Sequence, residues 1–119
     1  NVVNLSYFSI PIIDLYYKLG ENEKGNDVLA AMINDQLTTI KYLKAFDRGS
    51  GLKQDIGITG QVLSSLARIV QIHNLENTSY SYKKEGNTYY RTKGEEEEEI
   101  DFNTYRINTF MEEYLTSVQ

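Results

Sequence analysis

Apolar residues recur at three- and four-residue intervals in four separate stretches of this chain, and that rhythm commits most of its length to α-helix. It is cleanest at the C-terminal end, where Ile107, Phe110, Met111, Tyr114, Leu115 and Val118 keep it without a break. At the other end Ile12, Leu15, Tyr16 and Leu19 mark one face of a first helix, closed by Gly20. Pro11 predicts either a start there, with Ser9 as cap, or a kink, because proline removes a backbone donor and crowds the preceding turn.

After a polar turn, Glu21 to Lys24, an apolar stripe through Val28, Leu29, Met32, Ile33, Leu37, Ile40 and Leu43 predicts a long second helix. Acids near its start (Glu21, Glu23, Asp27) and lysines near its end (Lys41, Lys44) complement the helix dipole. So short a connection forces an antiparallel helical hairpin. Asp47 to Gly60 carries glycines at 49, 51, 57 and 60 among polar residues and reads as a loop, with Thr59 capping a third helix. In that helix Leu63, Leu66, Ala67 and Val70 form the expected core line, while further apolar residues, Val62, Ile69 and Ile72, wrap more than one face.

Between the third and fourth stretches the period changes. Tyr80 and Tyr82, then Glu85-Gly86-Asn87, then Tyr89 and Tyr90 read as a small β-hairpin around a glycine turn. The expected fold is therefore mainly α: four helices, about Asn4 to Leu19, Glu23 to Phe46, Thr59 to His73 and Ile100 to Ser117, with a small Tyr-rich β-hairpin between helices 3 and 4. A length of 119 residues suits one domain and is too short for two with a linker.

Charge and composition exclude more than they assign. Of 17 acidic residues five are the run Glu95 to Glu99, and without it 12 acids face 12 bases, so no basic stripe suited to phosphates exists and nucleic acid is not an expected partner. The absence of cysteine removes disulfides, thiol catalysis and cysteine-based metal sites. No apolar run approaches the roughly 20 residues of a membrane-spanning helix, so the segment itself does not span a bilayer. The chain starts at Asn1 with neither Met nor a charged-then-apolar leader, which reads as an excised or processed piece of something longer.

His73 is the only histidine, so a catalytic triad or a histidine zinc site would have to be built around one imidazole; at the end of the third helix its expected role is structural. Glu95 to Glu99 lack the glycine-broken spacing that wraps a chain around calcium and read as a solvated charge run, or as a backward extension of the fourth helix, for which Asp101 or Asn103 is the expected cap. Glu112 and Glu113 have no partner acid at a spacing that suits acid–base chemistry. No phosphate-binding glycine loop, dinucleotide fingerprint, nucleophile elbow or zinc-protease motif occurs. Catalytic, metal and cofactor sites are therefore not expected. Tyr80, Tyr82, Tyr89 and Tyr90 are the candidate binding residues, because a hairpin has two faces and exposed tyrosines contact proteins and glycans well. The tripeptides Asn4-Leu5-Ser6 and Asn77-Thr78-Ser79 match the N-glycosylation pattern, which occurs too often to assign anything.

The spacing Tyr16-x-x-x-Gly20-x-x-x-x-Gly25-x-x-x-Leu29 resembles the centre of a tetratricopeptide repeat over about the first 45 residues, and implies a tetratricopeptide-like helical hairpin onto which the remaining helices pack. The phrase Leu15-Tyr16-Tyr17-Lys18-Leu19-Gly20-Glu21-Asn22-Glu23-Lys24, followed by a helix ending Tyr42-Leu43, resembles the soluble C-terminal tail of multi-spanning bacterial membrane proteins related to the protein O-mannosyltransferases. That resemblance implies an extracytoplasmic, periplasmic tail with the spans and any glycosyl-transfer machinery upstream, and carries over no catalytic residue. The expected function is a non-catalytic interaction or accessory domain whose partner is another protein or the upstream part of the parent chain. Carbohydrate binding through the tyrosines is one alternative. An enzyme of unknown type is another, which requires two convergent carboxylates or a carboxylate beside His73.

Overall fold

The computed structural model describes residues 2–46 and 52–117, with side chains from residue 8 onward. It contains α1 (Val2–Lys18), α2 (Asn22–Phe46), α3 (Lys53–Ile72), β1 (Ser81–Glu85), β2 (Thr88–Lys93), β3 (Glu96–Ile100) and α4 (Phe102–Ser117). The protein is thus mainly helical, with four helices and a small antiparallel sheet. α2 is the central element and packs against each of the other helices. Its Leu29, Ala30, Ile33, Leu37 and Ile40 meet Ile13 and Tyr17 of α1, the α3 line from Val62 to Val70, and Ile107 and Phe110 of α4 in one core. The second stripe, the α3 core line and, in α4, Ile107 and Phe110 with Met111 and Tyr114 beside them point inward as their periodicity predicts, whereas Leu115, expected in the same α4 line, is 55% exposed.

The C-terminal ends of α1 and α3 close alike. The Glu21 N–H donates to Tyr16 and the Gly20 N–H to Tyr17 at the end of α1; the Leu75 N–H donates to Val70 and the Asn74 N–H to Gln71 at the end of α3. Both are Schellman closures, with Gly20 at φ +78° and Asn74 at φ +52°. α1 and α2 approach so closely that a Cβ on Gly25 would lie 2.8 Å from the Tyr17 ring.

Five expectations are corrected. α3 begins at Lys53, not at Thr59, so of the expected loop from Asp47 to Gly60 the residues from Lys53 onward are helical, while 47–51 lie outside the described residues. Ile56, Thr59, Leu63 and Leu66 continue the core-facing rhythm through Gly57 and Gly60, and tertiary burial outweighs the glycines' low propensity. Thr59 is no cap; it is fully buried, and its hydroxyl has no hydrogen-bond partner among the described residues.

In α1 the inward face is Ile13 and Tyr17, not Ile12, Leu15, Tyr16 and Leu19. The helix runs through Pro11 from Val2. It carries two apolar stripes, and periodicity alone does not choose between them; the inward one also supplies Tyr17, whose hydroxyl donates to Asn26 Oδ1 at 2.7 Å.

The hairpin is a three-stranded sheet in the order β1-β2-β3, with the glutamate run as its third strand. Lys93 pairs with Glu96, Arg91 with Glu98 and Tyr89 with Ile100, so cations of β2 stand opposite acids of β3 and the free edge of β2 is filled. Both turns have two residues and begin with a glycine at positive φ, Gly86 (+61°) and Gly94 (+63°), as twisted hairpins require. Ile100 consequently belongs to β3, and α4 starts at Phe102. Asp101 is its cap: the carboxylate accepts the Thr104 N–H at 2.8 Å, and the Thr104 hydroxyl first and that N–H second hold its pKa below the ordinary value. Val118 lies outside the described residues, as do the side chains of the Asn4-Leu5-Ser6 tripeptide.

Candidate functional site

Three regions concentrate the groups from which a function can be built. The sheet holds the four candidate tyrosines and divides them. Residues paired across strands share a face, so Tyr82, Tyr89, Arg91 and Glu98 lie on one side and Lys83, Tyr90, Glu97 and Glu99 on the other. Tyr89 packs on α4, its ring 4.6 Å from Tyr105 and 5.6 Å from Phe102. Tyr80 and Tyr82 are neighbours at 6.4 Å, and the Arg91 guanidinium stacks 4.2 Å over Tyr80 while bonding Glu98. Tyr90 stands alone on the outer face beneath Lys83. The glutamates alternate between the faces, and among the described residues no three His, Asp or Glu groups converge as metal ligands.

A polar trough lies where the sheet meets the helix ends. Two clefts of about 450 and 350 Å³ share Asn77 and Asn108; the larger also takes in Tyr17, Asn26 and His73, the smaller Tyr80 and Tyr82. Its floor is fixed by local bonds. The Asn77 N–H donates to Asn108 Oδ1, the Ser79 N–H to Asn77 Oδ1, and the Tyr82 hydroxyl to the Asn77 carbonyl. Beside it His73 Nε2 lies 2.6 Å from Asp14 Oδ1, and the Tyr17 ring sits 5.2 Å from the imidazole. The Lys18 ammonium, 2.7 Å from the other oxygen of Asp14, and then His73 hold that carboxylate below its ordinary pKa, so it is an anion rather than an acid. Burial pushes the Tyr17 phenol above its usual range, which keeps it neutral. A carboxylate beside His73 is thus present, and sequence spacing gave no sign of it, because the two residues come from different helices. The pair ties α1 to the end of α3. Among the described residues no hydroxyl nucleophile bonds to the imidazole, so the pair lacks the third member of a triad.

The third region is the outer face of α1. Phe8, Ile12, Leu15 and Leu19 are 76%, 51%, 52% and 68% exposed, whereas Ile13 is fully buried and Tyr17 nearly so. With 3.6 residues per turn the two sets lie on roughly opposite sides of the helix, which is the most apolar of the four. A helix apolar on both sides is ordinarily enclosed on both. The exposed set is spaced 4-3-4, the seam of a helix that packs knobs-into-holes against another. Ile12, Leu15 and Leu19 stand in the stripe that the sequence shows, with Tyr16 as its fourth member there; Phe8 and the stripe's outward direction were not legible. Among the described residues no helix is long and apolar enough to cross a membrane. No protein-family model matches the chain, and neither a curated protein nor a solved structure is detectably similar to it.

Proposed function

We propose that this is a non-catalytic helical interaction domain that docks a partner helix on the outer seam of α1. The observation that carries the reading is the pair of opposed stripes: the core uses one and leaves four large apolar side chains of the other in water. Fully burying such a side chain stabilises by about 1.5–3 kcal/mol, so covering the seam is strongly favourable. The 4-3-4 spacing fits a helix better than a flat surface, because a seam of that period presents holes for the knobs of a second seam. The hairpin of α1 and α2 is the one we read as tetratricopeptide-like, with Gly25 giving the close helix approach that such hairpins need, although its aromatic neighbour is Tyr17 rather than Tyr16.

The chain has no tryptophan, so Leu15→Trp places a single reporter on the seam. Titration with a synthetic helical peptide bearing a 3-4 leucine seam is expected to shift its emission to the blue, and the shift is expected to vanish when Ile12→Glu is added. An emission that stays at the solvent-exposed wavelength at every peptide concentration rejects the reading. Membership of a larger, membrane-embedded bacterial protein rests on the resemblance of the Leu15–Lys24 phrase. The upstream reading frame tests it: long apolar spans there support a periplasmic tail, and a frame without them removes it.

A second reading, saccharide binding, is favoured by the trough shared by Asn77 and Asn108, whose amides, beside the bonds that fix them, keep a second lone pair and a second N–H for ligand hydroxyls, with Tyr80 and Tyr82 at one end. Oligosaccharides are then expected to change tyrosine fluorescence in the native chain but not in Asn108→Ala. Silence across a broad glycan panel eliminates it.

A further inference from the structure

We infer that the trough takes an oligosaccharide with a single carboxylate, a uronic acid joined to a neutral sugar, and that the carboxylate lies in the larger cleft. The inference rests on the saccharide reading above and adds the charge and the orientation of the ligand. Although the two clefts share Asn77 and Asn108, they differ in charge. Among the described residues Arg91 lines the larger and no aspartate or glutamate does, in a chain whose acids outnumber its lysines and arginines 17 to 12. The smaller is lined by Glu76 and Glu112 and by no cation. A ligand lying along the trough therefore meets a guanidinium at one end and two carboxylates at the other. Volumes of about 450 and 350 Å³ are those of small-ligand sites.

The bonds already made show which groups are left for a ligand. Arg91 gives its Nε–H to Glu98, and its head also lies against the Tyr82 hydroxyl. A guanidinium has five N–H donors in a planar fork, so donors remain for a carboxylate from outside. The stack over Tyr80 and the pair with Glu98 hold that fork in place beforehand, which lowers the entropy lost when a ligand binds. His73 spends Nε2 on the Asp14 anion, so in the neutral ring Nδ1 is an acceptor for a ligand hydroxyl. Glu98 and Asp14, the carboxylates behind these two groups, line neither cleft. Asn26 accepts the Tyr17 hydroxyl with Oδ1 and keeps its amide N–H groups. In the smaller cleft Glu76 and Glu112 accept hydroxyls and repel a second carboxylate, while Tyr80 and Tyr82 give ring surface to a neutral sugar. The trough thus disfavours a neutral chain at one end and a polyanion at the other.

Calorimetric titration of the whole chain with three disaccharides of one linkage, glucosyl-glucose, glucuronosyl-glucose and the diuronate, reads this polarity. In dilute buffer the mixed disaccharide should bind about 10-fold tighter than either of the others, and its advantage over the neutral one should shrink as sodium chloride is added. Arg91→Gln, with its fold checked by circular dichroism, should bring the mixed disaccharide down to the affinity of the neutral one. Glu112→Gln, at an exposed position of the other end, should narrow the gap between the mixed disaccharide and the diuronate, and it keeps the test intact if Arg91→Gln does not fold. Equal affinity for the neutral and mixed disaccharides overturns the inference and leaves the saccharide reading standing; no binding by any of the three, with silence across the wider glycan panel, removes both. A diuronate that binds as tightly as the mixed disaccharide overturns the assigned polarity, and so does an acid preference that survives in folded Arg91→Gln. Succinate binding as tightly as the mixed disaccharide would make a bare carboxylate the ligand and overturn the inference as well.

Discussion

α1 and the three-stranded sheet both sit at the periphery with one face packed and one face free, and they finish the free face in opposite ways. On the outside of the sheet Lys83 pairs with Glu85 at 3.0 Å and with Glu97 at 3.1 Å, and covers Tyr90. The outer strand β3 is a row of glutamates, whose like charges discourage another chain from adding to the edge. On the outside of α1 the described residues carry nothing of the kind: four large apolar residues stand in line. The same chain therefore guards one exposed element against association and leaves the other open. That contrast teaches that the apolar seam does not follow from a composition poor in charge, since charge was available and was placed on the sheet.

The largest expected effect divides the two faces of α1. Ile13→Ala, at a fully buried position, should cost about 2–5 kcal/mol in urea unfolding of the dilute chain, and Ile12→Ala within about 0.5 kcal/mol. Equal costs at low concentration would mean that both faces are packed within one chain, and the comparison with the sheet would fail. Next comes Gly25→Ala. The added Cβ meets the Tyr17 ring at 2.8 Å, inside any real contact distance, so α1 must move off α2 at a cost of about 1–3 kcal/mol. A neutral result would show that the ring turns aside freely and that α1 is loosely held.

The sheet repeats the division on a smaller scale. Tyr89→Ala removes a ring seated against Tyr105 and Phe102 and should lower stability by about 1–2 kcal/mol, whereas Tyr90→Ala on the charged outer face should change it by less than about 0.5 kcal/mol. Neither should alter binding of the seam peptide by the Leu15→Trp chain. If Tyr90→Ala weakened it, the sheet would share the interface and the contrast drawn above would dissolve.

These differences mark what was legible beforehand. Where an element has a single apolar stripe, as in α2 and the α4 line through Ile107 and Phe110, the period gave both type and direction. α1 has two stripes, and the choice between them depends on Asn26 and His73, contributed by other elements. The glutamate run looked like a solvated segment because five like charges repel in isolation; Arg91 and Lys83, brought across the sheet, are what make a strand of it. Buried Arg106, bonded to Glu113 seven residues on and to Thr109, gave no signal in a stripe of apolar positions. Gly57 misled for a related reason, since local propensity argues for loop while the faces of Ile56 and Thr59 argue for helix. Gly57→Ala tests that account. A Cβ there meets nothing within 4 Å and the residue lies in a helix, so the variant should gain about 0.5–1 kcal/mol. A loss would mean that the first turns of α3 are not helical.

The smallest effect concerns how the inward side of α1 is pinned. Asp14 touches both Lys18 and His73, and its folded pKa lies below the ordinary 3.8. The unfolded chain therefore binds the proton more readily, and the pair's contribution is complete above about pH 4 and is lost as pH falls through the lower, folded value. Asp14→Asn should accordingly be slightly less stable than the native chain at pH 7, by an amount that closes as both are taken to pH 3, measured as the difference in urea midpoints. Asp101, also lowered by its cap bond, titrates in both chains and cancels. A difference that persists unchanged at pH 3 would show that Asp14 holds α1 by shape rather than by charge. The seam would then be presented by a helix whose orientation is independent of pH, and binding of the seam peptide should be the same on both sides of the carboxylate's titration.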